Sequence, residues 1–223
     1  MKVILTAAGK YERFRRFSYE IPKYLLPVKN RTMLHYVLKG FSGLKVIFVG
    51  NKGDIRFAGA IESILEEMCD EWEIKWIDDT SGQAETLMKA TEGLNGPFLV
   101  HNVDTVLLNR SWHRMGADCV IDIFESSNRD YSYVVEEKGY AKEIREKQVI
   151  STDASSGCYM FRDDSFRTYF DGDTQYISQM INKMIKVEFE VLVTKTHSSS
   201  DTIVMGTPEE YLVNMNSEKL DPL

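Results

Sequence analysis

Over the first hundred residues, short apolar runs rich in β-branched residues alternate with segments in which apolar positions recur at helical spacing. Four of these runs predict strands, over residues 2–7, 44–50, 73–78 and 96–104; the first two are predicted to be buried, and the third alternates weakly. Three helices are predicted between them, one capped by Thr32, one starting at Asp54 and one opened by Ser81-Gly82. Such alternation favours an α/β fold built on a mostly parallel sheet.

The pattern changes after residue 104, where strand-like runs follow one another across short connections. These runs cover residues 117–126, 131–137, 140–146 and 154–161. Short connections predict antiparallel hairpins, the first pair being joined near Asn128. A helix over 176–185, a strand over 187–197 and a helix over 208–215 complete the prediction. Because there is no linker, repeat or break in composition, we expect one domain over residues 1–223, with a parallel core and an antiparallel extension.

The segment from Gly9 to Val28 fits neither pattern. It has no sustained periodicity, contains Pro22 and Pro27, and is too long for an ordinary strand-to-helix connection. Long connections of this kind are usually functional or disordered. The sequence therefore predicts a long loop immediately after the first strand.

Composition and charge narrow the class of protein. The 223 residues carry 27 Lys and Arg against 34 Asp and Glu, a formal net charge of −7. An acidic total argues against generic binding to nucleic acid or to an anionic membrane, and no apolar run approaches the roughly 18 residues of a membrane span. The first residues lack the features of a signal peptide. We expect a cytoplasmic protein whose three cysteines are reduced thiols, at positions Cys69, Cys119 and Cys158.

The charge is unevenly distributed along the chain. The segment from Lys10 to Arg31 holds seven basic and two acidic residues, a local charge of +5, while the remainder of the chain sums to −12. A local basic segment in an acidic protein suits a small polyanionic ligand, although a solvated charged loop has the same composition.

Several kinds of site are excluded by their missing motifs. The chain contains no G-x-G-x-x-G after a strand, no P-loop and no G-x-S-x-G elbow. Its four histidines show no metal-ligand spacing and are interpreted as structural or surface residues, at positions His35, His101, His113 and His197.

The first positive feature is the small-residue turn Ala7-Ala8-Gly9 after the first strand. Open α/β sheets bind ligands at the carboxyl ends of their strands, and small residues let backbone N–H groups approach a phosphate. Arg13 and Lys23 follow on the same segment, and both side chains suit phosphate recognition. Pro22 and Pro27 flank Lys23 and restrict the backbone around it.

These residues resemble the signature of the nucleotidylyltransferases that make nucleotide-sugars and related activated compounds. The resemblance is carried by LTAAGKYERF and IPKYLLPV, which are similar to L-A-A-G-x-G-x-R and P-K-x-L-L-P-V. Further segments resemble the family in the same order along the chain, and they are 81–84 (SGQA), 101–104 (HNVD), 146–147 (EK), 154–159 (ASSGCY), 176–178 (YIS) and 205–209 (MGTPE). The resemblance spans essentially the whole chain. It implies a three-layer α/β/α fold with a mostly parallel mixed sheet, Rossmann-like and of the nucleotide-diphospho-sugar transferase type.

The resemblance also implies a reaction and a set of roles. An NTP and a phosphorylated acceptor, such as a sugar 1-phosphate or phosphocholine, would give an activated product and pyrophosphate, with Mg²⁺ as cofactor. The nucleotide would be held by Ala7, Ala8 and Gly9, and its base would contact Gly82 and Gln83. Arg13 would bind the pyrophosphate, Lys23 would neutralise the α-phosphate, and Asp104 would hold the metal. Lys147 would bind the acceptor's phosphate, and Glu146 and Gly157 would bind the rest of the acceptor. Members with non-sugar acceptors, or in capsule and surface-polysaccharide pathways, are the nearer match. The implied partners are small molecules, with a homo-oligomer left open.

Two departures from the family pattern leave other functions open. Tyr11 stands where the family has the second glycine of its loop, so the loop either follows another backbone path or uses the ring for stacking. Val204 stands where many members have a second metal aspartate, and Asp201 is the nearest acid before it. One alternative is therefore a catalytically impaired relative that binds a nucleotide or sugar phosphate and regulates something. Another is a glycosyltransferase of the same general fold, for which Asn102-Val103-Asp104 half fits a D-x-D motif.

Overall fold

The structure, a computed structural model, describes residues 1–112, 116–195 and 201–220. Its strands are β1 (Lys2–Ala7), β2 (Pro27–Val28), β3 (Arg31–Thr32), β4 (Lys45–Asn51), β5 (Trp72–Ile77), β6 (Phe98–Asn102), β7 (Thr105–Leu107), β8 (Cys119–Glu125), β9 (Ser132–Glu137), β10 (Tyr140–Glu146), β11 (Asp153–Phe161), β12 (Val191–Lys195) and β13 (Thr202–Val204). Its α-helices are α1 (Glu12–Arg15), α2 (Met33–Lys39), α3 (Ala58–Met68), α4 (Gln83–Ala90), α5 (Ile177–Lys186) and α6 (Pro208–Asn214).

A nine-stranded mixed sheet organises the fold, in the order β5-β4-β1-β6-β11-β8-β12-β10-β9. The first four of these strands are parallel, which confirms the α/β class predicted from the alternating pattern. From β1 the chain moves to β4 and β5 on one side and then returns to β6 on the other. The strand order therefore reverses beside the carboxyl end of β1, which is where open α/β sheets form a ligand-binding crevice.

Alternate residues of the central strands enter two separate hydrophobic cores. Val3 and Leu5 of β1 belong to a core that contains apolar residues of α2 and α3. Ile4, which points to the opposite face of the same strand, belongs to a core that contains residues of α4 and α5. Since both faces of β1 are buried, its sequence is a continuous apolar run rather than an alternating one.

The antiparallel half of the sheet differs from the prediction in its pairing. The hairpin expected between residues 117–126 and 131–137 does not form, because β8 pairs with β11 and β12, while β9 pairs with β10 and touches β11 at Ala154. The short connection at Asn128 thus joins strands that are not neighbours. All residues of β8 except Glu125 are buried, and such a strand needs a partner on each side, which distant segments provide.

Helix starts were predicted with mixed success. Thr32 is the N-cap of α2 as expected, and its backbone N–H donates to His35 Nδ1 at 3.3 Å. The prediction that Asp54 starts a helix was wrong, because residues 52–57 form a 3₁₀ helix and α3 begins only at Ala58. The side chain of Asn51 caps that 3₁₀ helix by accepting from the N–H of Gly53.

Three further boundaries differ from the prediction. The long loop after β1 contains the short helix α1 and a 3₁₀ turn over Lys23–Leu25. The strand predicted over 96–104 ends at Asn102, so Val103 and Asp104 lie in a turn. The strand predicted over 187–197 is ordered as β12 from Val191 only, and its last two predicted positions lie outside the described residues. No helix in the described part of the chain is long and apolar enough to cross a membrane. The three cysteines are unpaired.

Candidate active site

A cleft of about 590 Å³ lies at the carboxyl ends of β1 and β6, where the strand order reverses. Of the eleven residues expected to form a site, ten line this cleft, and they are Ala8, Gly9, Arg13, Lys23, Gly82, Gln83, Asp104, Glu146, Lys147 and Gly157. Ala7 is the exception, because it is fully buried and lies behind the wall of the cleft. The fold thus brings together residues that are separated by up to about 150 positions in the sequence.

The turn after β1 is shaped by Tyr11. This residue has φ 52° and ψ 34°, the left-handed conformation that favours glycine. Its hydroxyl donates a hydrogen bond to the carbonyl of Ala7, and its ring meets the ring of Tyr24 edge-on at 5.7 Å between centroids. The ring therefore packs inward against the protein.

Lys23 and Asp104 form an ion pair at the floor of the cleft. Lys23 Nζ lies 2.5 Å from Asp104 Oδ2, and the two side chains are 17% and 15% exposed. Lys23 begins a 3₁₀ turn whose N-cap is Pro22, and Asp104 lies in the turn that follows β6. Two backbone turns, rather than mobile loop tips, therefore hold the pair.

The ion pair controls the charge of Asp104. Burial alone would raise the pKa of this carboxyl, but the Lys23 ammonium and its hydrogen bond, with smaller contributions from His101 and Thr105, outweigh burial and leave the pKa below its usual range. Asp104 is therefore a carboxylate at neutral pH, as a metal ligand must be.

His101 supports the turn that carries Asp104. It is fully buried, its ring lies 5.0 Å from that of Phe41, and its Nε2 is 2.7 Å from the carbonyl of Thr105. Burial lowers its pKa to about 4, so the ring is neutral at physiological pH and Nε2 donates to that carbonyl. The interpretation of His35 and His101 as structural fits these contacts, while His113 and His197 lie outside the described residues.

The opposite wall of the cleft carries Glu146 and Lys147. Glu146 accepts hydrogen bonds from the hydroxyls of Ser132 and Ser178, the latter at 2.8 Å. Lys147 Nζ donates to the hydroxyl of Tyr176 at 2.9 Å and lies 5.0 Å from the centroid of its ring. The carboxylate is therefore held rigidly, whereas the lysine is an exposed cation resting on an aromatic ring.

Gly157 lies in a β-bulge of β11 and has φ +79°. A Cβ added there would come within 2.3 Å of Asn102 Nδ2, so the position has no room for a side chain. On its other side, Asn102 Oδ1 accepts a hydrogen bond from Gln83 Nε2 at 3.3 Å. Asn102 thus lies between Gln83, which is expected to contact the nucleotide base, and Gly157, which is expected to contact the acceptor.

Gly82 forms the other tight contact of the cleft. It precedes the first residue of α4, and a Cβ added there would come within 2.3 Å of the carbonyl oxygen of Gln175. The same carbonyl accepts from the N–H of Ala84 at 3.0 Å. The start of α4 is thereby fixed against the segment that leads into Tyr176.

The basic segment is only partly directed into the cleft. Lys10, Arg13 and Lys23 line it, and each has an acidic neighbour, with Arg13 Nη1 lying 3.5 Å from Asp130 Oδ2 at the half-exposed rim. Arg15 and Arg16 are exposed and do not line it.

The acidic residues that line the cleft do not form a metal-binding cluster, and they are Glu12, Asp104, Asp130, Glu146 and Glu210. No group of three or more His, Cys, Asp or Glu residues suitable for a metal occurs in residues 1–112, 116–195 and 201–220. Val204 lines the cleft at the position of the expected second aspartate. Asp201 lies elsewhere, with its side chain on Asn109 and its carbonyl on Arg110. Asp104 alone meets the minimum for Mg²⁺, which is commonly bound by one or two carboxylates together with substrate phosphates.

Several cleft residues were not foreseen, namely Thr6, Asn102, Tyr131 and Glu210. Glu210 accepts from the N–H groups of Gly206 and Thr207 at 3.0 Å each, and from the hydroxyl of Tyr131 at 2.6 Å. The pattern Thr207-x-x-Glu210 is that of a capping box, which marks the start of α6 and could have identified Glu210. No sequence pattern marks Thr6 or Tyr131, and Asn102 was noted only as part of the half-matched D-x-D motif.

Comparison with solved structures identifies the fold. A nucleoside-diphosphate-sugar pyrophosphorylase from Vibrio cholerae RC9 superposes with a TM-score of 0.84 at 20% identity, over 96% of this chain and 99% of that one. The inositol-1-phosphate CTP transferase from T. maritima gives 0.78 at 13% identity, over 94% and 90%. A UTP-bound UGPase from Acinetobacter baumannii gives 0.74 at 16% identity, over 96% and 91%.

These similarities confirm, at the level of fold, the resemblance found in the sequence. The chain has the mixed α/β fold of the nucleotide-diphospho-sugar pyrophosphorylases and nucleotidyltransferases, along nearly its whole length. No family model matches the sequence, and neither does any curated protein.

Proposed function

We propose that the protein is a nucleotidylyltransferase, which transfers the nucleotidyl group of an NTP to a small phosphorylated acceptor and releases pyrophosphate. The observation that carries the proposal is the position of the Lys23–Asp104 pair, between the turn after β1 and the wall that carries Lys147. A cation and a carboxylate in a cleft that both walls line suit a reaction at one phosphorus atom between two phosphorylated ligands.

The chemistry is an in-line displacement at the α-phosphorus. A phosphate oxygen of the acceptor forms the new bond to that phosphorus, and the bond to the bridging oxygen of the β-phosphate breaks, so that its electron pair leaves with pyrophosphate. An ionised phosphate is already a nucleophile, so no protein base has to remove a proton. Catalysis then depends on positioning and on neutralising charge.

Different residues of the cleft would bind different parts of the NTP. Backbone groups of Ala8 and Gly9 would receive the nucleotide's phosphates, and Gly82 and Gln83 would meet the base. Lys23 would neutralise charge at the α-phosphorus as the two phosphorylated groups approach each other. Arg13, at the rim, would contact the leaving pyrophosphate, since a guanidinium suits phosphate oxygens.

The acceptor would occupy the wall formed by β10, β11 and α5. Lys147 is exposed, and its ammonium, which donates to the hydroxyl of Tyr176, has further N–H donors for a phosphate. Glu146, held by two serine hydroxyls, presents a fixed acceptor for hydroxyl groups. Gly157 lets Asn102 pack against the backbone of β11, and its own backbone would line the space for the acceptor's body.

Mg²⁺ is the cofactor that we propose, with Asp104 as its protein ligand and phosphate oxygens completing the coordination. When bound, the ion would lower the cost of bringing anionic groups together. Lys23 already neutralises Asp104 when no phosphate is present.

A nucleotide-binding regulator without turnover is the second candidate. Val204 in the cleft wall favours it, because the cleft then offers fewer carboxylates for metal. A glycosyltransferase gains no such support, since Asn102 is engaged with Gln83 and Asp104 with Lys23.

Pyrophosphate release, measured across the four NTPs with sugar 1-phosphates, inositol 1-phosphate and phosphocholine, tests the proposal. Release that requires both an NTP and one of the acceptors supports the enzyme. Nucleotide binding without release from any pair would instead support the regulator. We expect a cytoplasmic enzyme of nucleotide-sugar or related surface-polysaccharide synthesis.

A further inference from the structure

Tyr11 combines a strained backbone with three contacts to the part of the cleft where the NTP is proposed to bind. Its left-handed φ of 52° costs free energy in any residue with a side chain, and persists only where the surroundings hold it. The first contact is the hydrogen bond from its hydroxyl to the carbonyl of Ala7, which closes the turn at the end of β1.

The second contact is with the cation of the cleft. Lys23 Nζ lies 5.8 Å from the centroid of the Tyr11 ring, within range of a cation–π interaction. Tyr24, the residue after Lys23, is fully buried and meets the same ring edge-on. The ring therefore restricts Lys23 both directly and through its neighbour.

The third contact is with the small-residue turn itself. A Cβ added to Gly9 would have Tyr11 Cε1 as its nearest neighbour, at 4.0 Å. The ring is thus the group nearest to this side of Gly9. Burial and the nearby Tyr24 and Asp54 raise the pKa of Tyr11 well above its usual value, so the hydroxyl remains a donor at physiological pH.

We propose that Tyr11 is a positioning residue that clamps the phosphate-binding turn to Lys23, replacing flexibility at this position with a fixed geometry. The inference rests on the proposed function, because the turn and Lys23 matter together only if an NTP binds there. The hydroxyl fixes the turn and the ring fixes Lys23, so the two parts of the side chain have separable effects.

The test separates these effects with two variants of one residue. Tyr11→Phe keeps the ring and loses the hydrogen bond to Ala7, so we expect the Kd for the NTP, measured by calorimetry, to rise about three- to tenfold with little change in kcat. Tyr11→Ala also loses the ring against Lys23, so we expect kcat for pyrophosphate release to fall about tenfold or more, and Phe at this position to restore it.

Tyr36→Phe is the matched control. The hydroxyl of Tyr36, a buried residue that does not line the cleft, donates a hydrogen bond to Asn30 Oδ1 at 2.9 Å. This variant should lose stability without a change in Kd or kcat. Unchanged Kd in Tyr11→Phe would overturn the clamp, even if Tyr11→Ala did not fold. If the wild-type protein binds none of the four NTPs, the proposed function and this inference are both overturned. If the wild type binds an NTP and both Tyr11 variants bind it with the same Kd, only the inference is overturned.

Discussion

Lys23 Nζ and Asp104 Oδ2 lie 2.5 Å apart, although 81 residues separate them in the sequence. Each comes from a backbone turn that lines the cleft, and neither side chain is freely exposed. The pair keeps a carboxylate ionised and a cation in place before any ligand arrives, which is the arrangement that electrostatic catalysis requires.

Lys23→Met should reduce turnover far more than it reduces stability. Methionine keeps most of the length of the side chain and removes the ammonium, so we expect kcat for pyrophosphate release to fall about 100- to 1000-fold, the usual effect of losing one electrostatic contact to the reacting group. Lys52→Met is the control, since Lys52 pairs with Asp78 at 2.8 Å on the surface. Near-normal rates in a folded Lys23→Met protein would refute the role of Lys23.

The same pair should show energetic coupling in a double-mutant cycle. Removing either partner leaves the other charge poorly solvated, so Lys23→Met and Asp104→Asn should each lower the free energy of unfolding by about 1–3 kcal/mol. The double variant removes both charges and should cost less than the sum of the two. Urea unfolding of the four proteins measures the coupling, and strict additivity would show that the ion pair contributes nothing to stability.

Gly157→Ala should be damaging for steric reasons beyond its backbone conformation. Gly157 and Gly172 both have positive φ, but only the Cβ at 157 would collide with a neighbour, namely Asn102 Nδ2. We expect Gly172→Ala to cost about 1–2 kcal/mol, as usual for a left-handed residue. Gly157→Ala should cost more and should raise KM for the acceptor. Equal losses of stability, with equal KM values, would show that Asn102 moves aside easily.

His101 should make stability depend on pH in the acid range. Its folded pKa of about 4 lies below the ordinary value of 6.5, so the unfolded chain binds more protons between these two pH values. Its contribution is present above pH 6.5 and is lost as pH falls toward 4, by about 3 kcal/mol in total. His101→Gln keeps a donor for the carbonyl of Thr105 and does not titrate. The difference in the free energy of unfolding between the wild type and His101→Gln should shrink as the pH falls from 6.5 to 4. A difference that stays constant over this range would contradict a lowered pKa of His101.

The parallel half of the fold could be predicted because its signals are local. Val3, Ile4 and Leu5 of β1 form a continuous apolar run since both faces of the strand are buried, and the small-residue end of the strand marks the crevice. Strand pairing in the other half could not be predicted, because β8 is completed by β11 and β12, which lie far away in the sequence. Chain proximity suggested β9 instead.

Site residues could be predicted from the sequence where their side chains suit a known chemistry, such as phosphate or metal binding. They were missed where their role comes only from contacts made in the folded protein. Lys23 and Asp104 were expected in the site, but their mutual contact follows only from the folded turns. Asn102 was noted only as part of a half-matched D-x-D motif, and its importance comes from its hydrogen bond with Gln83 and from the space that it fills beside Gly157. The inward packing of Tyr11 depends on Tyr24, which a sequence pattern does not pair with it.

Transfer of the α-phosphorus tests the central claim most directly. NTPs labelled with ³²P at the α-position are incubated with each phosphorylated acceptor and Mg²⁺, and the products are separated and counted, with Lys23→Met as the matched protein. We expect the label to move into a product containing both the nucleotide and the acceptor, with one pyrophosphate released per transfer, in the wild type but not in the variant. Label that stays in the NTP with every acceptor, in a protein that binds the nucleotide, would contradict it.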